Sequence, residues 1–394
     1  MIVRDEGPRL AACLASAARA VDEAIVVDTG SRDDTVAVAE RAGARVVHWA
    51  WREDFAAARN ESLRHARGEW VLVLDADERL APGAAALVRE ATARSAAAGL
   101  DCRLVSALPA GQPSPAIAAW YCRLFRRRPG VAFEGRIHEQ VAPSIRRAGG
   151  RIERSGVVIL HEGYAQPAPA KLARNLHLLE LELAERPDDG FARLNLGLTL
   201  MAAGRAAEAA TALAGALAAA APPLGAELRS VAWLHLAELA ARDGRWTEAE
   251  TASREALAGA PDLVVARYLL GRARFEQGDV DGAARLFAGL AGAGPDALGM
   301  SLRPELAATA LALCRLRARR FAEAAALLEP VAALDAGGES AFHLGNARLG
   351  LGDLAGAADA YREAQARGFS HPALERRRAL CARLRPGAPG PVRA

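Results

Sequence analysis

The sequence predicts two architectures in one chain: an α/β domain on a mostly parallel sheet, followed by an all-α solenoid of helical repeats. Three observations carry that division. Short runs rich in valine and isoleucine alternate with helix-like segments through residues 1–165. One of these runs, Trp70-Val71-Leu72-Val73-Leu74, ends on Asp75-Ala76-Asp77-Glu78. Beyond residue 187 the strand-like runs stop, and small residues recur at an interval of roughly 34 residues.

In order along the chain, Met1-Ile2-Val3 reads as the end of a strand, with a turn through Gly7-Pro8 into a helix over residues 9–20. Ala24-Ile25-Val26-Val27 reads as the second strand. The turn Asp28-Thr29-Gly30-Ser31 then feeds a helix through Asp33, Asp34 and Thr35, where Ser31 and Asp34 have the spacing of a capping box and Gly43 marks the stop. Arg45-Val46-Val47-His48-Trp49 is the third strand. Asp54 caps a helix carrying Phe55, Ala58, Arg59, Asn60 and Leu63, which ends at Gly68.

The run at residues 70–74 is too short for a buried helix and reads as a strand buried on both faces. Its carboxyl end is where open α/β sheets bind ligands, and alternate residues of an extended backbone point the same way, so Asp75 and Asp77 are expected to face one spot. Two hard oxygen ligands there suit Mg²⁺ or Mn²⁺ bridging to phosphate oxygens. A solvated polar strand end is the competing reading. Asp28 also ends a strand, where it can accept from a ribose hydroxyl or a base N–H, or simply form the turn.

A chain of 394 residues, 52% hydrophobic, with near-zero mean hydropathy, has material for two or three cores. With 50 basic and 47 acidic residues the net charge is only +3, which argues against nucleic-acid and polybasic membrane partners. The five cysteines are far apart and lack Cys-x-x-Cys spacing, as expected of reduced core thiols in a cytosol. Arg4-Asp5-Glu6 follows the opening tripeptide at once, unlike a signal peptide. The longest apolar tract, residues 209–223, is alanine-dominated, ends in two prolines and is shorter than a bilayer span of ~20 residues, so no transmembrane segment is expected.

The ordered stretches Met-Ile-Val-Arg-Asp-Glu, Val-Asp-Thr-Gly-Ser-Arg-Asp-Asp-Thr, Asp-Phe-Ala-Ala-Ala-Arg-Asn and Leu-Asp-Ala-Asp-Glu resemble the family-2 glycosyltransferases of GT-A fold, a Rossmann-like architecture. The resemblance continues through Arg123-Leu124-Phe125-Arg126, the segment Phe133 to Gln140, and His161-Glu162-Gly163-Tyr164, and covers residues 1 to about 165. It implies an inverting transfer from a nucleotide-sugar donor. By the same resemblance Asp28 contacts the base, Asp33 and Arg59 occupy neighbouring donor positions, Asp75 approaches ribose and metal, and Asp77 ligates Mn²⁺ or Mg²⁺ directly. A general base is needed to take the acceptor proton, with Glu139 the first candidate and Glu134 the second. His161 or His138 could complete the metal shell, His161 being better placed at a strand end. Relatives carry more residues before Met-Ile-Val, so the resemblance sets this chain's start inside the first strand.

Pro167 and Pro169 mark a linker, and Leu172, Leu176, Leu179 and Leu183 give a connecting helix within residues 166–186. In residues 187–382, Gly197, Ala237, Gly271, Ala312 and Gly345 are matched small positions of first helices, and Ala209, Ala249, Ala283, Ala324 and Ala357 of second helices. Gly244, Gly278 and Gly352 fall in the turns between. This pattern resembles roughly five tetratricopeptide repeats, whose stacking makes a concave surface. Residues 383–394, rich in proline and glycine, read as a tail.

The organisation as a whole implies a bacterial, cytoplasmic transferase whose acceptor is a peptide, a protein or a cell-surface glycan. The repeats would recruit that acceptor, a protein partner or a second copy in a homo-oligomer. A non-catalytic scaffold with a degenerate transferase domain is the alternative. A nucleotidyltransferase ranks last, because residues 1–9 lack the glycine-rich, lysine-bearing loop such enzymes use for phosphate.

Overall fold

The computed structural model describes residues 1–106, 117–162, 169–220, 224–294, 296 and 301–384. Gly163, Tyr164, Pro167, the paired prolines after residue 221, Pro295 and the tail beyond residue 384 lie outside the described residues. Two compact units divide the chain, residues 1–224 and 225–394.

In the first unit, strands β1 (Ile2–Val3), β2 (Ile25–Asp28) and β3 (Arg45–His48) form a parallel sheet in that order, as expected from their apolar runs. Helices α1 (Gly7–Ala17) and α2 (Thr35–Arg41) make the crossovers, and Leu10, Val26, Val38 and Ala39 close the core between them. Gly43, at φ +77°, ends α2 as a left-handed residue should. The expected capping box does not form: α2 starts four residues after Ser31, and among the described residues its cap residue Asp34 makes no side-chain capping hydrogen bond. Helix α3 (Phe55–His65) is capped as expected, Asp54 accepting from the Ala57 N–H at 2.8 Å.

A second, five-stranded sheet follows, built from β4 (Trp70–Leu72), β5 (Glu78–Leu80), β6 (Gly99–Ser106), β7 (Ile117–Arg126) and β8 (Ile152–His161), with α4 (Ala84–Arg94) and α5 (Ala142–Arg147) between. Its order is β4-β7-β6-β8-β5 and only β6 and β8 run parallel. The expectation of a mostly parallel sheet therefore holds for the first sheet, while the second is mixed. Nor is the strand before Asp75 buried on both faces: β4 is an edge strand, half-buried and antiparallel to β7. Leu74, Leu80, Val88, Cys102, Leu124 and Ile159 form the core on this sheet.

Helices α6 (Pro169–Glu185), α7 (Gly190–Ala202) and α8 (Ala206–Ala218) complete the first unit. Leu178, Leu179 and Ala192 are buried against Ile137, Trp51 and Phe55. The second unit stacks four helical hairpins: α9 (Ala226–Arg242) with α10 (Trp246–Gly259), α11 (Val264–Glu276) with α12 (Val280–Ala288), α13 (Pro304–Arg317) with α14 (Phe321–Ala332), and α15 (Glu339–Gly350) with α16 (Leu354–Ala366). Helix α17 (Pro372–Leu384) follows, taking in Arg383 and Leu384, which the sequence assigned to the tail. The matched small positions lie where paired helices touch. A Cβ added at Gly271 would stand 2.5 Å from Cε1 of Phe287, and Ala249, Ala283, Ala324 and Ala357 are fully buried. No helix among the described residues is long and apolar enough to cross a membrane.

Candidate active site

The loops at the carboxyl ends of β1 and β2 are stitched together by polar side chains. Buried Asp28 accepts from the Ser31 N–H at 3.1 Å and faces His48 Nδ1 at 3.4 Å. Asp33 accepts from the Gly7 N–H at 3.1 Å, the Thr35 N–H at 3.0 Å and the Thr35 hydroxyl. The bond from Thr35 holds its carboxyl below the usual range. Glu6 N–H donates to Thr35 Oγ1 at 2.8 Å, and Asp5 N–H to Ser31 Oγ at 2.9 Å. The Glu6 carboxyl, a further acid near this site that the sequence reading gave no role, is pushed up by burial and by Asp77, Asp33 and Asp75.

Beside these loops runs a chain of charges. The capped start of α3 sets Arg59 one turn in, where only 7% of it is exposed. Its guanidinium donates to Glu139 through Nε and to Asp75 Oδ1 at 2.6 Å through Nη2. Arg123 on β7 donates to the other Asp75 oxygen at 3.2 Å and to Glu78 at 2.6 Å. Burial alone would raise the Asp75 carboxyl, but Arg59 and Arg123 outweigh it and hold it well below the carboxylate range. For Glu78, nearly inaccessible at 1% exposure, burial wins and the carboxyl is raised despite Arg123. Nη1 of Arg59 is buried and, among the described residues, has no hydrogen-bond partner. An unpaired buried donor of this kind costs about 1–3 kcal/mol, a cost an incoming oxygen would relieve.

Asp75 and Asp77 meet different partners. Strand β4 ends at Leu72, the Val73 N–H still donates to the Arg123 carbonyl oxygen at 2.8 Å, and the chain then turns at Ala76-Asp77, Glu78 N–H donating to Asp75 O at 3.0 Å. Asp75 is thereby turned to the arginines, and Asp77 to His161, whose Nε2 lies 3.3 Å from Asp77 Oδ2. Ser106, paired with His161 across β6 and β8, meets the other ring nitrogen at 3.1 Å. The Asp77 contact raises the His161 imidazole above its ordinary value. A carboxylate oxygen and an imidazole nitrogen this close are donors of the kinds that a divalent ion such as Mn²⁺ accepts. Asp75, with both oxygens on guanidinium groups, does not fit as a ligand in this arrangement. Among the described residues no three His, Cys, Asp or Glu side chains converge on a metal-sized spot.

Glu139 sits on a closed loop. Glu134 and Gln140 exchange backbone hydrogen bonds at 3.0 and 2.9 Å, and within the loop His138 takes the left-handed conformation at φ +55°. A non-glycine residue held there stores of order 1 kcal/mol of strain, a feature that clusters at functional sites. Burial lowers the His138 imidazole, and the charges that act on it are Glu139, Lys171 and Arg174. The Glu134 side chain pairs with Arg147 at the surface, apart from the Arg59 chain of charges. Arg123, Glu78, Ser106 and Glu6 are the members of this constellation that sequence reasoning missed. Arg123 lay within a quoted motif, and its alternation with the buried Leu124 was the available signal.

Residues 1–128 match the model of glycosyl transferase family 2, and residues 194–264, 240–303 and 309–372 match tetratricopeptide repeat models. Fold and sequence together thus define a family 2 glycosyl transferase domain followed by tetratricopeptide repeats. A TPR repeat-containing protein of Synechococcus elongatus is 39% identical over 214 residues, 52% of this chain and 52% of that one. An uncharacterized glycosyltransferase of Rickettsia felis is 42% identical over 85 residues, 20% of this chain and 28% of that one. The SPbeta prophage-derived glycosyltransferase SunS of Bacillus subtilis is 28% identical over 149 residues, 36% of this chain and 33% of that one. The chain thus spans about half the length of the first relative and a third or less of the other two.

Proposed function

We propose that this chain is a metal-dependent, inverting glycosyltransferase of the bacterial cytoplasm. In this reading residues 1–165 move a sugar from a nucleotide-diphosphate donor to a peptide, protein or glycan acceptor, residues 166–186 connect, and the repeats of residues 187–382 recruit acceptor or partner. The observation that carries it is the single guanidinium of Arg59 shared by Glu139 and Asp75. One rigid fork ties the candidate base to the donor-side acid.

Inversion needs a carboxylate to take the acceptor's proton as its oxygen attacks. Glu139 suits that role: its side chain is only 10% exposed and its loop is pinned to α3. Asp28 and Asp33 shape the loops that would receive base and ribose. Asp77 and His161 would hold the Mn²⁺ or Mg²⁺, which supplies charge neutralisation to the departing diphosphate. Arg59 keeps Asp75 and Glu139 in fixed register, and Ser106 orients the His161 ring. The free cysteines suit a reducing compartment.

Calorimetric titration of UDP and GDP into the protein, with Mn²⁺ and then with EDTA, tests the reading. Metal-dependent binding that disappears in a folded Asp77→Ala variant is expected. Unchanged binding in that variant would remove Asp77 as a ligand, and no nucleotide binding at all would favour the scaffold.

A further inference from the structure

Building on the reading of the repeats as the recruiting half, we propose that a groove in the second unit binds an acidic segment of the partner polypeptide, one in which a carboxylate neighbours an aromatic or aliphatic side chain. The groove encloses about 560 Å³ between α11, α13, α15 and α17. Its apolar surface includes Phe275 and Phe342, with the His371 ring centred 5.0 Å from that of Phe342.

Two arginines face into it, each already held in place. The Arg317 guanidinium lies 4.8 Å over the Phe275 ring and donates to the Phe275 carbonyl oxygen at 3.1 Å. The Arg377 guanidinium lies 5.2 Å over Phe342 and donates to Asn346 Oδ1, which also accepts from the buried Tyr361 hydroxyl at 2.9 Å. These contacts use one nitrogen of each fork, and the preset geometry reduces the entropy lost on binding.

What selects the occupant is charge. Among the described residues no Asp or Glu lines the groove, and His343 is paired with Glu339 at 3.7 Å. Nearby Arg320, Arg348, Arg367 and Arg378 each pair with a carboxylate, whereas among the described residues Arg317 and Arg377 pair with none. Two oriented guanidinium groups on an aromatic surface match a carboxylate flanked by an apolar side chain. The carboxylate takes the forks, and the apolar group takes the rings.

Fluorescence anisotropy on the full chain tests this, using a labelled hexapeptide Asp-Glu-Phe-Leu-Glu-Asp and its charge-reversed counterpart Lys-Arg-Phe-Leu-Arg-Lys. The acidic probe should bind, more weakly as salt rises, and the basic probe should not. Arg317→Gln and Arg377→Gln should each weaken binding about tenfold or more, while Arg378→Gln, whose arginine pairs with Glu375, leaves it unchanged. Circular dichroism melts confirm that the variants fold. Failure of the acidic probe to bind, equal binding of both probes, or full binding by folded Arg317→Gln and Arg377→Gln variants would overturn the proposal. The readout needs no sugar transfer. Loss of peptide binding with nucleotide binding intact strikes this groove alone, and peptide binding without nucleotide binding supports the groove while striking the transferase reading.

Discussion

Asn60 and Phe133 exchange two hydrogen bonds across the first unit. The Asn60 amide donates to the Phe133 carbonyl oxygen at 2.9 Å, and its own oxygen accepts the Phe133 N–H at 2.8 Å. One side chain thus does for the approach to the Glu139 loop what a strand does for its neighbour. Asn60→Ala would leave both backbone groups unpaired, at a cost of about 1–3 kcal/mol. We expect a lower urea midpoint, and a loss of transfer rate larger than the loss of nucleotide affinity, because the donor loops do not depend on this bond. Single-turnover transfer and nucleotide titration on the same variant separate the two effects.

Close helix approach at Gly271 gives a second prediction. A methyl group there would meet the Phe287 ring, itself 1% exposed and unable to retreat. Gly271→Ala should destabilise the repeat unit by about 1–3 kcal/mol, despite the better helix propensity of alanine. Urea denaturation followed by circular dichroism reads this directly, and an unchanged midpoint would mean that the helices slide apart freely.

Arg319 gives a third, of opposite sign. It holds φ +58° in the turn between α13 and α14, where the equivalent turns use Gly244, Gly278 and Gly352. Arg319→Gly should stabilise by up to about 1 kcal/mol, since only glycine takes this conformation without strain. The urea midpoint should rise.

Alkaline pH should weaken the fold. Burial pushes Cys13 and Cys122 up to about 12 from the ordinary thiol value, Cys102 and Cys314 to about 11, and the Tyr361 hydroxyl to about 12. These groups keep their protons in the folded chain at a pH where the unfolded chain has lost them. The folded state then binds more protons, so stability falls as pH rises from about 9 towards 12. Urea midpoints measured from pH 8 to 11 should decline steadily, and a flat profile would show that these groups are solvated.

Much of the local structure was legible because its causes are local. The cap at Asp54, the stop at Gly43 and the recurring glycines and alanines of the repeats act within a turn or two of themselves. Long-range features were not. Which groups Asp75 meets depended on a turn in which its N–H donates to Glu78 and on Arg59 and Arg123, which arrive from α3 and β7. Ser31 and Asp34 had the spacing of a cap, yet the Ser31 hydroxyl was taken by Asp5, a neighbour remote in sequence. The mixed second sheet was hidden for a similar reason, since the direction of β7 and β8 is fixed only by pairing. The stretches that meet around Arg59 were all visible in the chain, but which atom meets which was not.

The burial of Leu178 and Leu179 from α6, and of Ala192 from α7, against Ile137, Trp51 and Phe55 bears on how such a protein could have been assembled. A recombination event that exchanged repeat arrays at residue 165 would strip an oily face from the α/β half. One that joined new repeats after Leu224 would leave that face covered. A join that keeps that face covered therefore lies behind the first hairpin, α7 with α8.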